Sequence, residues 1–171
     1  MVTAVIDAAT RPSEAQIWAW LDQVPDPEIP VISLVDLGII RDVAWRGEAL
    51  EVTVTPTYSG CPATSVINLD IVAALTAKGI DTVRLTKRLS PAWTTAWISE
   101  KGRAALRAYG IAPPVDGTAA CGIGALASPD IACPRCGSMA TRLVSQFGST
   151  PCKASWVCTD CREPFDYFKC I

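Results

Sequence analysis

Two cysteine pairs near the end of the chain restrict its folding more than anything else in the sequence. Cys133-Pro134-Arg135-Cys136 and Cys158-Thr159-Asp160-Cys161 are separated by 21 residues. Two residues between thiolates let a chain fold round a single ion with backbone N–H groups aimed at the sulfurs. Two such knuckles at the ends of a hairpin make the tetrahedral four-sulfur set that zinc favours. The usual spacing between pairs is roughly 15–20 residues, so a somewhat longer hairpin is implied here. Strand-like segments at 141–147, 153–157 and 165–169 supply it.

A module of about 40 residues cannot be held together by burial alone, and metal binding supplies the missing free energy. The expectation is a β-rich zinc ribbon over residues 131–171 with Cys133, Cys136, Cys158 and Cys161 as ligands. An iron–sulfur cluster on the same thiolates is the alternative, although no ferredoxin-type cysteine run is present. Four cysteines fill the coordination shell, which favours a structural site. Cys152 and Cys170 have no CxxC partner. Each could pack in a core, pair by oxidation or join a second thiolate set; packing is the plainer reading for each alone.

The 171 residues include no histidine. Ser-His and Cys-His catalytic pairs, the two-His carboxylate iron site and the HExxH zinc site are therefore excluded together. A formal net charge of −2 argues against a general nucleic-acid binder. Residues 1–10 carry no basic side chain and include Asp7, so they make no secretory leader, and no stretch is long and apolar enough to cross a membrane. A cytoplasmic setting is expected, where thiols stay reduced and bind metals more often than they form disulfides.

Ahead of the cysteine-rich tail the order reads α-β-β-α-β-α. Pro12-Ser13-Glu14 opens an apolar-periodic helix through Ile17 and Leu21. A proline-rich stretch follows, then a hairpin with strands at 39–45 and 49–55 around Arg46-Gly47. Cys61-Pro62 starts a helix closed by Gly79, 82–89 is a third strand, and a last helix ends at Gly110. This is an α/β layer sandwich over residues 1–110. Residues 111–130, rich in Pro, Gly and Ala and containing Cys121, read as a linker, with the ribbon at 131–171.

Thr55-Pro56-Thr57-Tyr58-Ser59-Gly60-Cys61 puts a thiol where a strand runs into a helix. Free amides and the helix dipole there should lower its pKa, suiting it to hold a metal or cluster transiently or to act as a nucleophile. With one thiol, stable holding would need Asp36, another chain or a small thiol. Asp26 before proline reads as a turn former and Glu28 as a solvated charge, whereas Asp36 lies in an apolar run and needs a partner if buried. Trp93 and Trp97 share a face if their segment is helical, and an exposed pair there would mark a partner surface.

The motifs DPEIPVISLVDLGII, TPTYSGCPA and SPAWTTAWIS resemble the small α/β domain of the iron–sulfur assembly-associated family. The continuation CPRCGS, QFGSTPCKA and CTDCREPFDYFKCI is more specific. From about residue 13 to 171 the order resembles the family of D subunits of bacterial phenylacetyl-CoA ring-1,2-epoxidase systems. The resemblance implies a non-catalytic accessory or maturation subunit that delivers iron or an iron–sulfur cluster to the oxygenase or reductase subunits in aerobic phenylacetate catabolism. It assigns cluster handling to Cys61 and matches the acid of the DLG motif to Asp36. A structural scaffold and an electron-transfer protein with its cluster on the C-terminal cysteines are the alternatives. The expected partners are the other epoxidase subunits, with a homodimer left open, and neither nucleic acid nor membrane.

Overall fold

The structure, a computed structural model, describes residues 11–115 and 130–169. It divides into two compact units, one running to Pro91 and the other beginning at Ala92. Among the described residues, no helix is long and apolar enough to cross a membrane.

The first unit follows the expected order. Helix α1 (Glu14–Leu21) is opened by a capping box in which Ser13 and Gln16 satisfy each other's backbone amides, and it buries Ile17 and Leu21. Strands β1 (Ile40–Arg46) and β2 (Ala49–Val54) form an antiparallel hairpin whose two-residue loop holds Gly47 at a φ of 63°, which glycine adopts without strain. Helix α2 (Thr64–Thr76) starts three residues after Cys61 and buries Ile67, Ile71 and Leu75, spaced four apart along one stripe. It returns the chain to β3 (Val83–Lys87), which pairs with β2 in parallel, so the sheet order is β1-β2-β3.

Leu50 and Val52 of the central strand are completely buried, as are Ile71 and Leu75. Truncating Ile71 to alanine is expected to cost about 2–5 kcal/mol, since rigid packing leaves a cavity behind. A urea titration followed by circular dichroism measures it, and a cost below about 1 kcal/mol would show that the core refills.

The second unit opens with a short 3₁₀ turn at Thr95–Trp97, continues as helix α3 (Glu100–Tyr109), and leads into β4 (Ile111–Ala112). Strands β5 (Thr141–Ser145), β6 (Lys153–Cys158) and β7 (Pro164–Phe168) complete a sheet of order β4-β7-β6-β5. These three match the strand segments expected of the ribbon.

The expected division at residues 110 and 131 does not coincide with the observed one. β4 lies in the stretch read as linker, where it pairs in parallel with β7. α3 is fastened within the same unit: the guanidinium of Arg103, itself buried, donates to the carbonyls of Pro114 at 2.8 Å and Thr95 at 2.9 Å. Gly110, at a φ of 99°, ends α3 so close to Arg135 that a Cβ there would lie 2.8 Å from Nη2. The Arg135 guanidinium thus lies at the C-terminus of α3, where the negative end of the helix dipole favours a positive charge.

The Trp93–Trp97 expectation is corrected as well. Their segment forms a single 3₁₀ turn, and Trp93 is 4% exposed with its ring 6.0 Å from Phe168. It is an anchor of the second unit's core, and no exposed tryptophan pair forms. Residues 116–129, with Cys121, and Cys170 lie outside the described residues.

Candidate metal centre and the Cys61 loop

The sulfurs of Cys133, Cys136, Cys158 and Cys161 all lie within 4.8 Å of one another. Cys133 and Cys161 are 3.8 Å apart and Cys136 and Cys158 3.6 Å. A tetrahedron with metal–sulfur bonds of about 2.3 Å has edges of about 3.8 Å, so these two separations match the edges of a single-ion site and the rest do not exceed them by more than about 1 Å. Cys133 and Cys158 are buried, while Cys136 is exposed. Backbone N–H groups point at the sulfurs as the spacing predicts: Ser138 at Cys136, Cys161 and Asp160 at Cys158, and Glu163 at Cys161. The Cys161 amide leads in drawing the Cys158 thiol down to about 7, toward the thiolate a metal needs.

The two knuckles repeat one backbone design. In the first, the amide of Cys133 donates to the carbonyl of Ser138 at 2.9 Å; in the second, Cys158 donates to Glu163 at 3.0 Å. The fourth residue after each leading cysteine is left-handed, Gly137 at a φ of 75° and Arg162 at 63°. The side chains of Ser138 and Asp160 hydrogen-bond one knuckle to the other. Sequence reading missed this repeat, because Arg162 gives no sign of a positive φ. A non-glycine residue in that conformation costs about 1–2 kcal/mol. Arg162→Gly is therefore expected to tighten metal retention several-fold in a chelator competition, and unchanged or weaker retention would mean the strain is absent.

The cysteines flanking β6 differ in kind. Cys152 is 4% exposed, with Thr150 Oγ1 3.0 Å from its sulfur, and it lies apart from the four-sulfur cluster.

In the first unit, Cys61 follows β2 in a turn where its amide donates to Tyr58 and its carbonyl accepts from the Thr64 amide and hydroxyl. The thiol is half-buried. Its pKa is raised, against the expectation of a depressed one: burial outweighs the Ala63 amide and Thr64 hydroxyl that favour thiolate, and the carboxylates of Glu28 and Asp26 raise it further. Helix-end amides are present as expected, but desolvation and two acids from the DPE segment win. Cys61 is thus protonated at neutral pH, and its alkylation by iodoacetamide should rise through a midpoint above the usual thiol range. A midpoint at or below that range would contradict the balance of forces just given.

Asp26 is the turn former expected, its Oδ1 accepting the amides of Glu28 and Ile29, both at 2.9 Å. Asp36 is buried at 8% exposure, and its amide donates to Ser33 Oγ, which in turn donates to Asp22. Among the described residues, the ribbon cysteines are the only set of three or more Cys, Asp or Glu whose ligand atoms gather within 4.8 Å. Cys61 and Asp36 therefore belong to no such set.

Comparison with known proteins accords with both halves of this geometry. Residues 14–84 match the family model described as iron-sulfur cluster assembly protein, and residues 122–169 match the one described as PaaD zinc beta ribbon domain. A crystal structure of the domain DUF59 from Bacillus anthracis superposes with a TM-score of 0.50 at 28% identity, covering 54% of this chain and 90% of that one. An iron–sulfur protein maturation auxiliary factor of Porphyromonas gingivalis (strain ATCC BAA-308 / W83) is 34% identical over 52% of this chain and 86% of its own length. Fold and site together define a mixed α/β chain with an iron–sulfur-assembly-type domain followed by a four-cysteine β-ribbon. A protein of Escherichia coli (strain K12), provisionally named as the D subunit of 1,2-phenylacetyl-CoA epoxidase, is 50% identical over 94% of both chains. The chain belongs to this family of phenylacetyl-CoA epoxidase D subunits.

Proposed function

We propose that the chain is a non-catalytic, cytoplasmic maturation subunit of the phenylacetyl-CoA ring-1,2-epoxidase system. In this reading Cys133, Cys136, Cys158 and Cys161 keep one zinc ion permanently, while Cys61 passes iron or an iron–sulfur cluster to the oxygenase or reductase subunits. The observation that carries it is the contrast between the two thiol environments. Four sulfurs lie within 4.8 Å of one another, two pairs of them 3.8 and 3.6 Å apart, and four thiolates would fill the shell of a bound ion with no position left for water or substrate. Cys61 is half-exposed, belongs to no gathered ligand set and is protonated, so a metal must displace its proton and is readily returned. Asp36 enters this reading through the family resemblance alone. A second copy of the chain could supply further ligands to the cargo, which leaves room for a homodimer.

The same spacing weighs against an electron-transfer cluster on the ribbon cysteines, because a cluster interposes several metal atoms and holds its thiolates further apart than one ion does. Metal analysis of protein purified without oxygen separates the readings. The proposal expects a colourless protein with one equivalent of zinc, and a brown protein that bleaches on reduction would overturn the zinc assignment. The cargo role of Cys61 is tested by its serine variant, which should stay folded while the epoxidase subunits matured beside it lose iron.

A further inference from the structure

The second unit leaves three unmet requirements on one surface. β5 is the outer strand of its sheet, so among the described residues one row of its backbone amides and carbonyls has no ladder partner. Beside it runs a groove of about 290 Å³ lined by Asp130, Ile131, Met139, Arg142, Leu143 and Trp156, among others. Trp156 is 4% exposed, yet its Nε1–H meets no acceptor among the described residues, and a buried donor is costly to leave unpaired. Arg142 is exposed and pairs with no carboxylate among them. Met139 and Val144 are 57% and 58% exposed and Phe147, just beyond the strand, 69%.

Native sheets blunt such edges with charge, proline, bulges or a covering element. Here the strand is TRLVS, with a single charge, and its bulge falls between Leu143 and Ser145, leaving Thr141–Leu143 regular alongside the groove. We propose that β5 and this groove form the docking site for an extended segment of a partner protein, added as a further strand. The segment places a carboxylate opposite Arg142, an apolar side chain on Met139 and Leu143, and an acceptor before Trp156 Nε1–H. A strand edge without a partner among the described residues selects an extended backbone, and a guanidinium facing no carboxylate among them selects an acidic one. A second copy pairing through β5 is a poorer occupant, since that strand carries no acid to set against Arg142.

This inference rests on the reading of the chain as an accessory subunit and specifies the surface by which it meets its client. Its test uses full-length, metal-loaded protein carrying ¹⁵N-tryptophan, titrated with the purified oxygenase and reductase subunits. The Trp156 indole signal is assigned by its loss in Trp156→Phe. One subunit is expected to shift that signal, with binding weakened at least tenfold by Arg142→Glu and by high salt while metal content and circular dichroism stay unchanged. The proposal is overturned if no subunit binds, if the Trp156 signal is unmoved at saturation, or if Arg142→Glu binds as tightly as wild type. It is equally overturned if the signal moves with the chain's own concentration, which means a second copy, or on deletion of residues 116–129, which means the chain's own segment. Metal delivery through Cys61 with an unmoved Trp156 would remove this surface and leave the proposed function standing.

Discussion

A strong chelator is expected to unfold the strands of the ribbon while leaving α1 through β3 folded. The reason lies in what the small sheet has for a core. Its cluster comprises Ala112, Ile131, Ala154, Trp156, Phe165 and Tyr167 together with Cys133 and Cys158. Two of eight members are thus candidate metal ligands, and without the ion only a few knuckle hydrogen bonds, such as Ser138 to Asp160, keep their sulfurs a few ångströms apart. Ion binding to a structural four-cysteine site contributes on the order of 10 kcal/mol, more than a sheet of this size gains from burial. Hydrogen exchange should therefore show loss of protection in β5, β6 and β7 once the metal is removed, with β1 and β2 unaffected. Cys158→Ser should act in the same direction. Lower pH should also favour release, because the ligands must be thiolates and take up protons as the ion leaves. Ribbon amides that stay protected in metal-free protein would show the site to be an accessory to the fold.

Replacing Cys61 by serine should give the opposite pattern: little change in stability and a large change in what the epoxidase system contains. The side chain is half-exposed and its neighbours hold the turn through backbone groups of Tyr58, Cys61 and Thr64, so the substitution is expected to cost less than about 1 kcal/mol. The oxygenase and reductase subunits matured alongside the variant should nevertheless carry several-fold less iron and lose activity in proportion. Iron content by mass spectrometry, read beside the variant's own zinc content, distinguishes a failed delivery from a failed fold. Fully loaded and fully active subunits would refute the cargo role and leave the scaffold reading in its place.

How far the sequence alone reached depended on whether the deciding forces were local. α1 was legible from Ser13 and the Ile17/Leu21 period, the hairpin from Gly47, and the gathering of four cysteines from two CxxC spacings, each a short-range signal. β4 was not, because two residues form a strand only where β7 offers an edge more than fifty residues away. Trp93 was misjudged for the same reason: its partner Phe168 lies near the other end of the unit. At Cys61 the local argument from helix-end amides was sound as far as it went. Burial and the carboxylates of Asp26 and Glu28, more than thirty residues earlier in the chain, reversed the sign. Arg162 marks a further limit, since its positive φ is imposed by the second knuckle and no property of arginine announces it.

Parallel neighbours cannot be joined by a tight turn, so the path from β2 to β3 is obliged to detour through α2. Ser59, Gly60, Cys61 and Pro62 sit on the outward bend of that detour, while Ile67, Ile71 and Leu75 further along it hold the helix to its unit. Substitution at the bend leaves those anchors untouched. A chain of this topology can therefore change the side chains at this corner without disturbing the framework beneath it.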